Sequence, residues 1–226
     1  MCIRDRQMTA VIFDMDGVLV DSEAVYQYDL MRFFREQKQR ITQREASTFV
    51  GCSDAFYYRH MGELWEPKMT EEQMRRFYEA NYPYGPIDYR SALNPHVRLI
   101  LQQMKQAGIR TAIASSSSNA SIERMLTSNE LTPFFDQVIS GHELPRSKPD
   151  PAIYHEAMRR LDHTPAQCVV IEDSAIGIEA AKRAGMYVIA KRENRFHVDQ
   201  RQADHIADDL LQAWLHIQEH FRLLRF

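Results

Sequence analysis

The chain has 226 residues, enough for one large core or a core with a modest second domain, and its 44% hydrophobic content is ordinary for a globular protein that needs no disulfide staples. Its 28 basic and 31 acidic residues are well mixed, and a formal charge of −3 leaves no basic stripe of the kind that binds nucleic acid. No apolar run reaches the roughly 18 to 20 residues of a membrane span and the N-terminus has no signal-peptide apolar region, so the expected compartment is the cytoplasm.

Residues 1–7 are polar and precede a second methionine, Met8; they read as a tail or extension outside the fold. Ala10 to Met15 reads as a strand. If it is extended, Asp14 and Asp16 point to the same side at its carboxyl end. Two carboxylates held that close repel, and the usual remedies are a bound cation or a shared proton, so the pair predicts a metal or an acid/base dyad.

From Ser22 to about residue 90 the pattern is helical. Val25, Tyr28, Met31 or Arg32, and Phe34 form a helical stripe between Ser22 and Gln39. Thr42 to Glu45 and Thr70 to Gln73 read as capping boxes that start two further helices, with another between Ser53 and Trp65, before Pro67. Pro83, Gly85 and Pro86 close the segment.

From His96 onward strand and helix alternate, which predicts a parallel sheet with helices on both faces. Helices are expected near 95–107, 119–129, 151–162 and 174–184, and strands at 109–114, 137–140, 167–172 and 187–190. Gly108 and Gly185 stand where left-handed C-caps belong. A last helix is expected between Ala207 and Leu224, with Leu211, Trp214 or Leu215, and Gln218 or Phe221 on its packed face. His216 and His220 lie four apart on it without a third ligand, which reads as a solvated face. Cys2, Cys52 and Cys168 show no C-x-x-C spacing and are expected to stay reduced.

Three further polar signals each follow a strand-like run: Ser115-Ser116-Ser117-Ser118-Asn119, Lys148 before Pro149-Asp150-Pro151, and Glu172-Asp173-Ser174. In an open parallel sheet the strand carboxyl ends share one edge, so these groups converge with Asp14 and Asp16 in one crevice. The set Asp14-x-Asp16-Gly17-Val18-Leu19-Val20-Asp21-Ser22, Ser115, Ser147-Lys148-Pro149-x-Pro151 and Glu172-Asp173-Ser174-x-x-Gly177-Ile178 resembles the haloacid dehalogenase superfamily of phosphatases, specifically its β-phosphoglucomutase-like branch. The resemblance implies a Rossmann-like α/β core with a parallel sheet, built from residues 8–20 and 91–226, and an inserted small α-helical cap at 21–90.

It also implies a chemistry. Asp14 would be the nucleophile, since a carboxylate of ordinary pKa, about 4, is ionised at neutral pH and needs no activating base. Mg2+ suits an all-oxygen site and removes the repulsion between carboxylate and phosphate; the implied ligands are Asp14, the main-chain carbonyl of Asp16, and Asp173, with Glu172 direct or through water. Acids at 172 and 173 would also favour the helix N-terminus that follows. Asp16 would act as general acid and then as base, which sets the chain apart from the dehalogenases. Lys148 would neutralise the transferring phosphoryl group, and Ser115 with the N–H of Ser116 would hold its oxygens.

The mutases of this branch need a cationic cap residue and an early cap histidine. Asp54 and Tyr26 stand at those positions, with Arg59, Lys68, Arg75 or Arg76 as possible substitutes for the cation. Neither Lys38 nor Lys68 has the context of a Schiff-base lysine. The expected function is therefore Mg2+-dependent hydrolysis of small phosphate monoesters, such as sugar phosphates. A sugar-phosphate mutase and a non-catalytic regulator that binds a phosphometabolite are the alternatives. The expected partner is a small phosphorylated metabolite, and the expected state a monomer or weak dimer.

Overall fold

The computed structural model describes residues 7–82 and 85–223. The expectations for residues 1–6 and for Pro83 lie outside these, whereas Gln7 bridges to Arg222. Strand β1 (Ala10–Phe13) is followed by four helices, α1 (Glu23–Glu36), α2 (Gln43–Ser47), α3 (Asp54–Leu64) and α4 (Glu71–Asn81). Then come α5 (Val97–Gln106), β2 (Arg110–Ser115), α6 (Asn119–Ser128), β3 (Gln137–Ser140), α7 (Ala152–Leu161) and β4 (Cys168–Glu172). The chain ends with α8 (Ala175–Arg183), β5 (Tyr187–Lys191), β6 (His205–Ala207) and α9 (Leu210–His220).

The strands form one sheet in the order β3-β2-β1-β4-β5-β6, every neighbouring pair parallel. The central strands β1 and β4 are buried along their whole length, as strands covered by helices on both faces must be. Side chains alternate between two cores. Val11 and Phe13 join α5, α6 and α9 on one face, while Ala10 and Ile12 join α7 and α8 on the other. Register fixes the crevice: Phe13 pairs with Ile113 and with Ile171, so Asp14 emerges level with the ends of β2 and β4. The chain moves outward from β1 through β2 to β3 and then returns to β4 on the other side, which leaves a gap at this point for a site.

β1 ends at Phe13, before Met15, because the next residues turn back: the Gly17 N–H donates to the Val20 carbonyl at 2.8 Å. Both capping boxes are present, Thr42 with Glu45 and Thr70 with Gln73. Each threonine satisfies a backbone donor whose loss on Thr→Ala replacement costs about 1 kcal/mol. Gly108 and Gly185 have positive φ, as expected past α5 and α8.

The stripe expected on α1 is misplaced. Its buried face is Glu23, Gln27, Leu30, Phe33 and Phe34, while Val25, Tyr28 and Met31 are exposed. Leu30, Phe33 and Phe34 pack with Phe49, Met61, Trp65 and Met74 in a hydrophobic cluster separate from the sheet. On α9 the packed residues are Leu210, Ala213, Trp214 and Ile217, with Leu215 outward. β6 escaped sequence reading because three residues after a long polar stretch carry no periodic signal.

His216 and His220 do not form a merely solvated face. The rings of His205 and His216 stack at 3.7 Å and those of His216 and His220 at 4.1 Å, with the Tyr187 hydroxyl 2.9 Å from His216 Nε2. Burial, reinforced by His205 and His220, lowers the His216 pKa to about 4. The unfolded imidazole takes a proton near pH 6.5 and the folded one resists it, so this group's stabilisation is complete above that pH and is lost as pH falls toward 4. Thermal melts between pH 7 and 5 should therefore show a shallower decline for His216→Phe than for the wild type, and parallel declines would remove the stack from the acid response.

Candidate active site

The carboxyl ends of β1, β2 and β4 and the loop before α7 meet around a buried ammonium. Lys148 Nζ donates to Asp14 Oδ1 at 2.6 Å, to Glu172 Oε1 at 2.8 Å and to the Ala114 carbonyl at 3.2 Å, and the residue is 6% exposed. Glu172 is fixed from the other side. Its Oε2 accepts the N–H groups of Asp173 and Ser174, both at 2.7 Å, and the Ser174 hydroxyl at 3.0 Å, just where α8 begins. The first turn of α8 leaves room for this carboxylate only because residue 177 is glycine: a Cβ there would lie 1.5 Å from Glu172 Oε1.

Asp16 is held by two hydroxyls. Ser22 donates to Oδ1 at 2.5 Å and Ser117 to Oδ2 at 2.7 Å. Between the two aspartates and α1 the loop passes through Gly17, with φ at +77°, and a Cβ at Gly17 would lie 1.9 Å from Asp173 Oδ2. Both the turn and the approach of Asp173 require glycine there. The serines after β2 divide their tasks. Ser115 Oγ accepts the Ser117 N–H at 3.0 Å, Ser116 donates to the Gly51 carbonyl at 3.2 Å, and Ser118 caps α6. Gly51 lies in the helical unit, and its N–H donates to Glu23 Oε1 at 3.0 Å, so α1 and the loop after α2 are tied to the serine segment.

The electrostatics differ from the expectation of an ordinary Asp14 carboxylate. Burial raises its pKa to about 7; Lys148 opposes this, but Glu172 and Asp16 add to the rise. Asp173 is pushed well above its usual range by burial and by Glu172, Glu23 and Asp14. Burial and Asp16 raise Glu23 to about 8, partly offset by the Gly51 N–H. Burial would pull Lys148 down, yet Asp14 and Glu172 hold it well above the normal lysine value. Asp14, Asp16, Glu23, Glu172 and Asp173 are all buried, against one ammonium in direct contact.

This excess of acid suits a cation. Among the described residues, Asp173 Oδ2 is a buried oxygen without a hydrogen-bond partner. No cluster of three or more His, Cys, Asp or Glu side chains with metal-binding geometry occurs among the described residues. Mg2+ does not need one, since one or two carboxylates with waters and substrate oxygens suffice. Asp14 and Asp173 fit that donor set.

Above Asp14 and Asp16 lies a cavity of about 310 Å³ between the sheet edge and the helical unit. Glu23, Tyr26, Asp54, Tyr57 and Ser116 are among its walls. Arg75 lines a neighbouring cleft of about 320 Å³ with Lys148 and Arg146, while Arg59, Lys68 and Arg76 line neither. Sequence reasoning brought Asp14, Asp16, Lys148, Ser115, Ser116, Glu172 and Asp173 to one crevice; the structure joins Lys148 directly to Asp14 and Glu172 and Asp16 to Ser115 through Ser117, sets Asp173 against Glu172, and turns the Ser116 hydroxyl to the Gly51 carbonyl. It missed Ser22, Ser117 and Glu23 as partners of this site. Ser22 belongs to the first motif and could have been found there, whereas nothing local marks Ser117 over its serine neighbours.

A carboxylate-rich crevice at the switch point of a parallel sheet, covered by a helical unit inserted after β1, defines a class of α/β enzymes with a capped site. The chain belongs to the haloacid dehalogenase-like hydrolases, whose family profile it matches over residues 11–191, and within them to the β-phosphoglucomutase-like subfamily. It is 32% identical over 188 residues to a phosphorylated carbohydrates phosphatase of Thermotoga maritima, covering 79% of this chain and 82% of that protein. It is 32% identical over 198 residues to β-phosphoglucomutase of Bacillus subtilis, covering 80% and 82%. The crystal structure of β-phosphoglucomutase from Clostridium difficile superposes with a TM-score of 0.78 over 95% of this chain and 97% of that one, at 22% identity, which shows a shared fold.

Two outcomes test the site's physics. Gly177→Ala should destabilise the protein by about 2 kcal/mol in urea unfolding, the cost of overpacking against a fixed carboxylate, and an unchanged midpoint would show that Glu172 is free to move. A carboxyl whose folded pKa is raised to about 7 favours folding below about pH 4 and loses that contribution as pH rises toward 7. Added Mg2+ should therefore raise the melting temperature more at pH 8 than at pH 5, and an equal rise at both would contradict the charge excess.

Proposed function

We propose that the protein is a Mg2+-dependent phosphatase that hydrolyses small phosphate monoesters, sugar phosphates in particular, through an aspartyl-phosphate on Asp14. The observation that carries this reading is the buried Lys148 bridging Asp14 and Glu172 beside the unpartnered Asp173 Oδ2. It is supported by relatives of about 30% identity that are phosphatases of phosphorylated carbohydrates.

Asp14 attacks phosphorus, forming the Asp14–phosphorus bond as the phosphorus–alcohol bond breaks. Asp16, whose pKa burial raises although Ser117 and Ser22 oppose the rise, gives its proton to the leaving alkoxide. Those two hydroxyls also fix its direction. In the second half Asp16 takes a proton from water as that water attacks phosphorus, which breaks the bond to Asp14 and frees inorganic phosphate. Bound at Asp14, the Asp16 carbonyl and Asp173, Mg2+ would offset the repulsion between Asp14 and the ester and stabilise charge on the transferring group. Lys148 adds a fixed positive charge beside Asp14. Ser115 and the N–H of Ser116, at the end of β2, would hold the transferring oxygens. Glu172 spends both oxygens on protein donors, so its part is to hold Lys148 and the start of α8 rather than to ligate directly.

Tyr26 and Asp54 both line the cavity where a mutase would need a histidine and a cation, which favours hydrolysis over phosphoryl exchange. A regulator that only binds phosphometabolites would have no use for the paired hydroxyls on Asp16. Phosphate release from glucose 6-phosphate should require Mg2+ and vanish in Asp14→Asn with the circular dichroism spectrum unchanged. Asp16→Asn should slow it by roughly 10²–10⁴, the usual weight of a general acid. Wild-type turnover by purified Asp14→Asn would remove Asp14 from the mechanism.

A further inference from the structure

The phosphatase reading leaves the alcohol half of the ester undefined, and any selectivity for that half rests on the same reading. Tyr26, Tyr57, Tyr58, Tyr78 and Tyr82 line the cavity, and its carboxyls beyond Asp14 and Asp16 are Glu23 and Asp54. Among the described residues, no lysine, arginine or histidine lines it. Arg75, Arg146 and His142 belong to the neighbouring cleft, which shares only Asp54 and Ser116 with this cavity. They have partners there: Arg146 lies 3.1 Å from Asp150, Arg75 stacks 4.3 Å over the Tyr58 ring, and His142 Nε2 is 3.5 Å from Asp54 Oδ2.

A second anionic group on the substrate would leave water without gaining a cation and would face the Asp54 carboxylate. An uncharged, hydroxyl-bearing alcohol meets no such penalty. It can exchange hydrogen bonds with tyrosine and serine hydroxyls and lay its C–H face on the rings. The volume of about 310 Å³ is at the lower end of small-ligand sites, which span about 300–1,000 Å³, and calls for a small alcohol.

We propose that the cavity selects phosphomonoesters whose alcohol carries no negative charge, and that Asp54 is the specificity-determining residue that enforces this. Asp54 is the first residue of α3, on the boundary between cavity and cationic cleft, so it repels an anion reaching from one to the other. An acid in that first turn also suits the helix dipole, so a test must read selectivity rather than activity alone.

The full chain with Mg2+ is given matched pairs, fructose 6-phosphate against fructose 1,6-bisphosphate and glucose 6-phosphate against 6-phosphogluconate. The wild type should favour the first member of each pair by at least tenfold in kcat/KM. Asp54→Asn should narrow that ratio, and Asp54→Lys should narrow it by about another tenfold. The same pairs are titrated calorimetrically into Asp14→Asn protein, with and without the Asp54 substitutions, which reads selection without turnover. If no ester is hydrolysed but the Kd ratios behave as stated, the phosphatase reading fails and the selection stands. Equal values within each pair in both measurements, ratios indifferent to Asp54, or no turnover together with no binding of either member would overturn the proposal.

Discussion

The site depends on one buried contact, the ammonium of Lys148 between the carboxylates of Asp14 and Glu172. Deleting one partner of such a pair leaves an uncompensated buried charge, at a cost on the order of 3–5 kcal/mol. The contact joins residues that are 134 and 24 positions apart, so it can form only after β1, β4 and the loop before α7 are in place. It also falls short of neutrality. Carboxyls outnumber the ammonium, burial makes each excess charge expensive, and the pKa values of Asp14 and Asp173 rise in consequence. A divalent cation would offset that imbalance in the same place where a phosphate ester would need it.

The sheet and its crevice were legible in the sequence because their causes are local. A strand buried on both faces is a short apolar run, a capping box is four residues long, and the motifs stand at the ends of strands whose order follows from alternation with helices. Asp14, Lys148 and Glu172 could be placed by that logic. The holders of Asp16 could not. Ser117 reaches it across 101 residues, and only the turn after β2 decides which serine of the run points back. The ordinary acidity expected of Asp14 failed for a related reason, since burial is a property of the assembled crevice and not of the motif.

The helical unit was harder to read than the sheet. A stripe of Val25, Tyr28, Met31 or Arg32, and Phe34 is plausible at helical spacing, yet of these only Phe34 is buried, and α1 turns Glu23, Gln27, Leu30 and Phe33 inward with it. Two surfaces compete for that helix. Leu30, Phe33 and Phe34 serve the cluster around Trp65 and Met74, while Glu23 and Gln27 face the cavity over the sheet edge. Polar residues on the buried face of α1 are thus a sign of the cavity rather than a flaw in the packing. Under the proposed function, selectivity among esters would reside in this unit, whereas the carboxyl cluster beneath it is fixed by the sheet.

Whether the carboxyl excess around Lys148 holds a divalent cation is tested most directly by anomalous diffraction from crystals soaked in Mn2+. One strong peak is expected, bordered by Asp14, Asp173 and the main-chain carbonyl of Asp16. Saturating Mn2+ that gives no peak there, or a peak only elsewhere on the molecule, would contradict the assignment of a cation to this cluster.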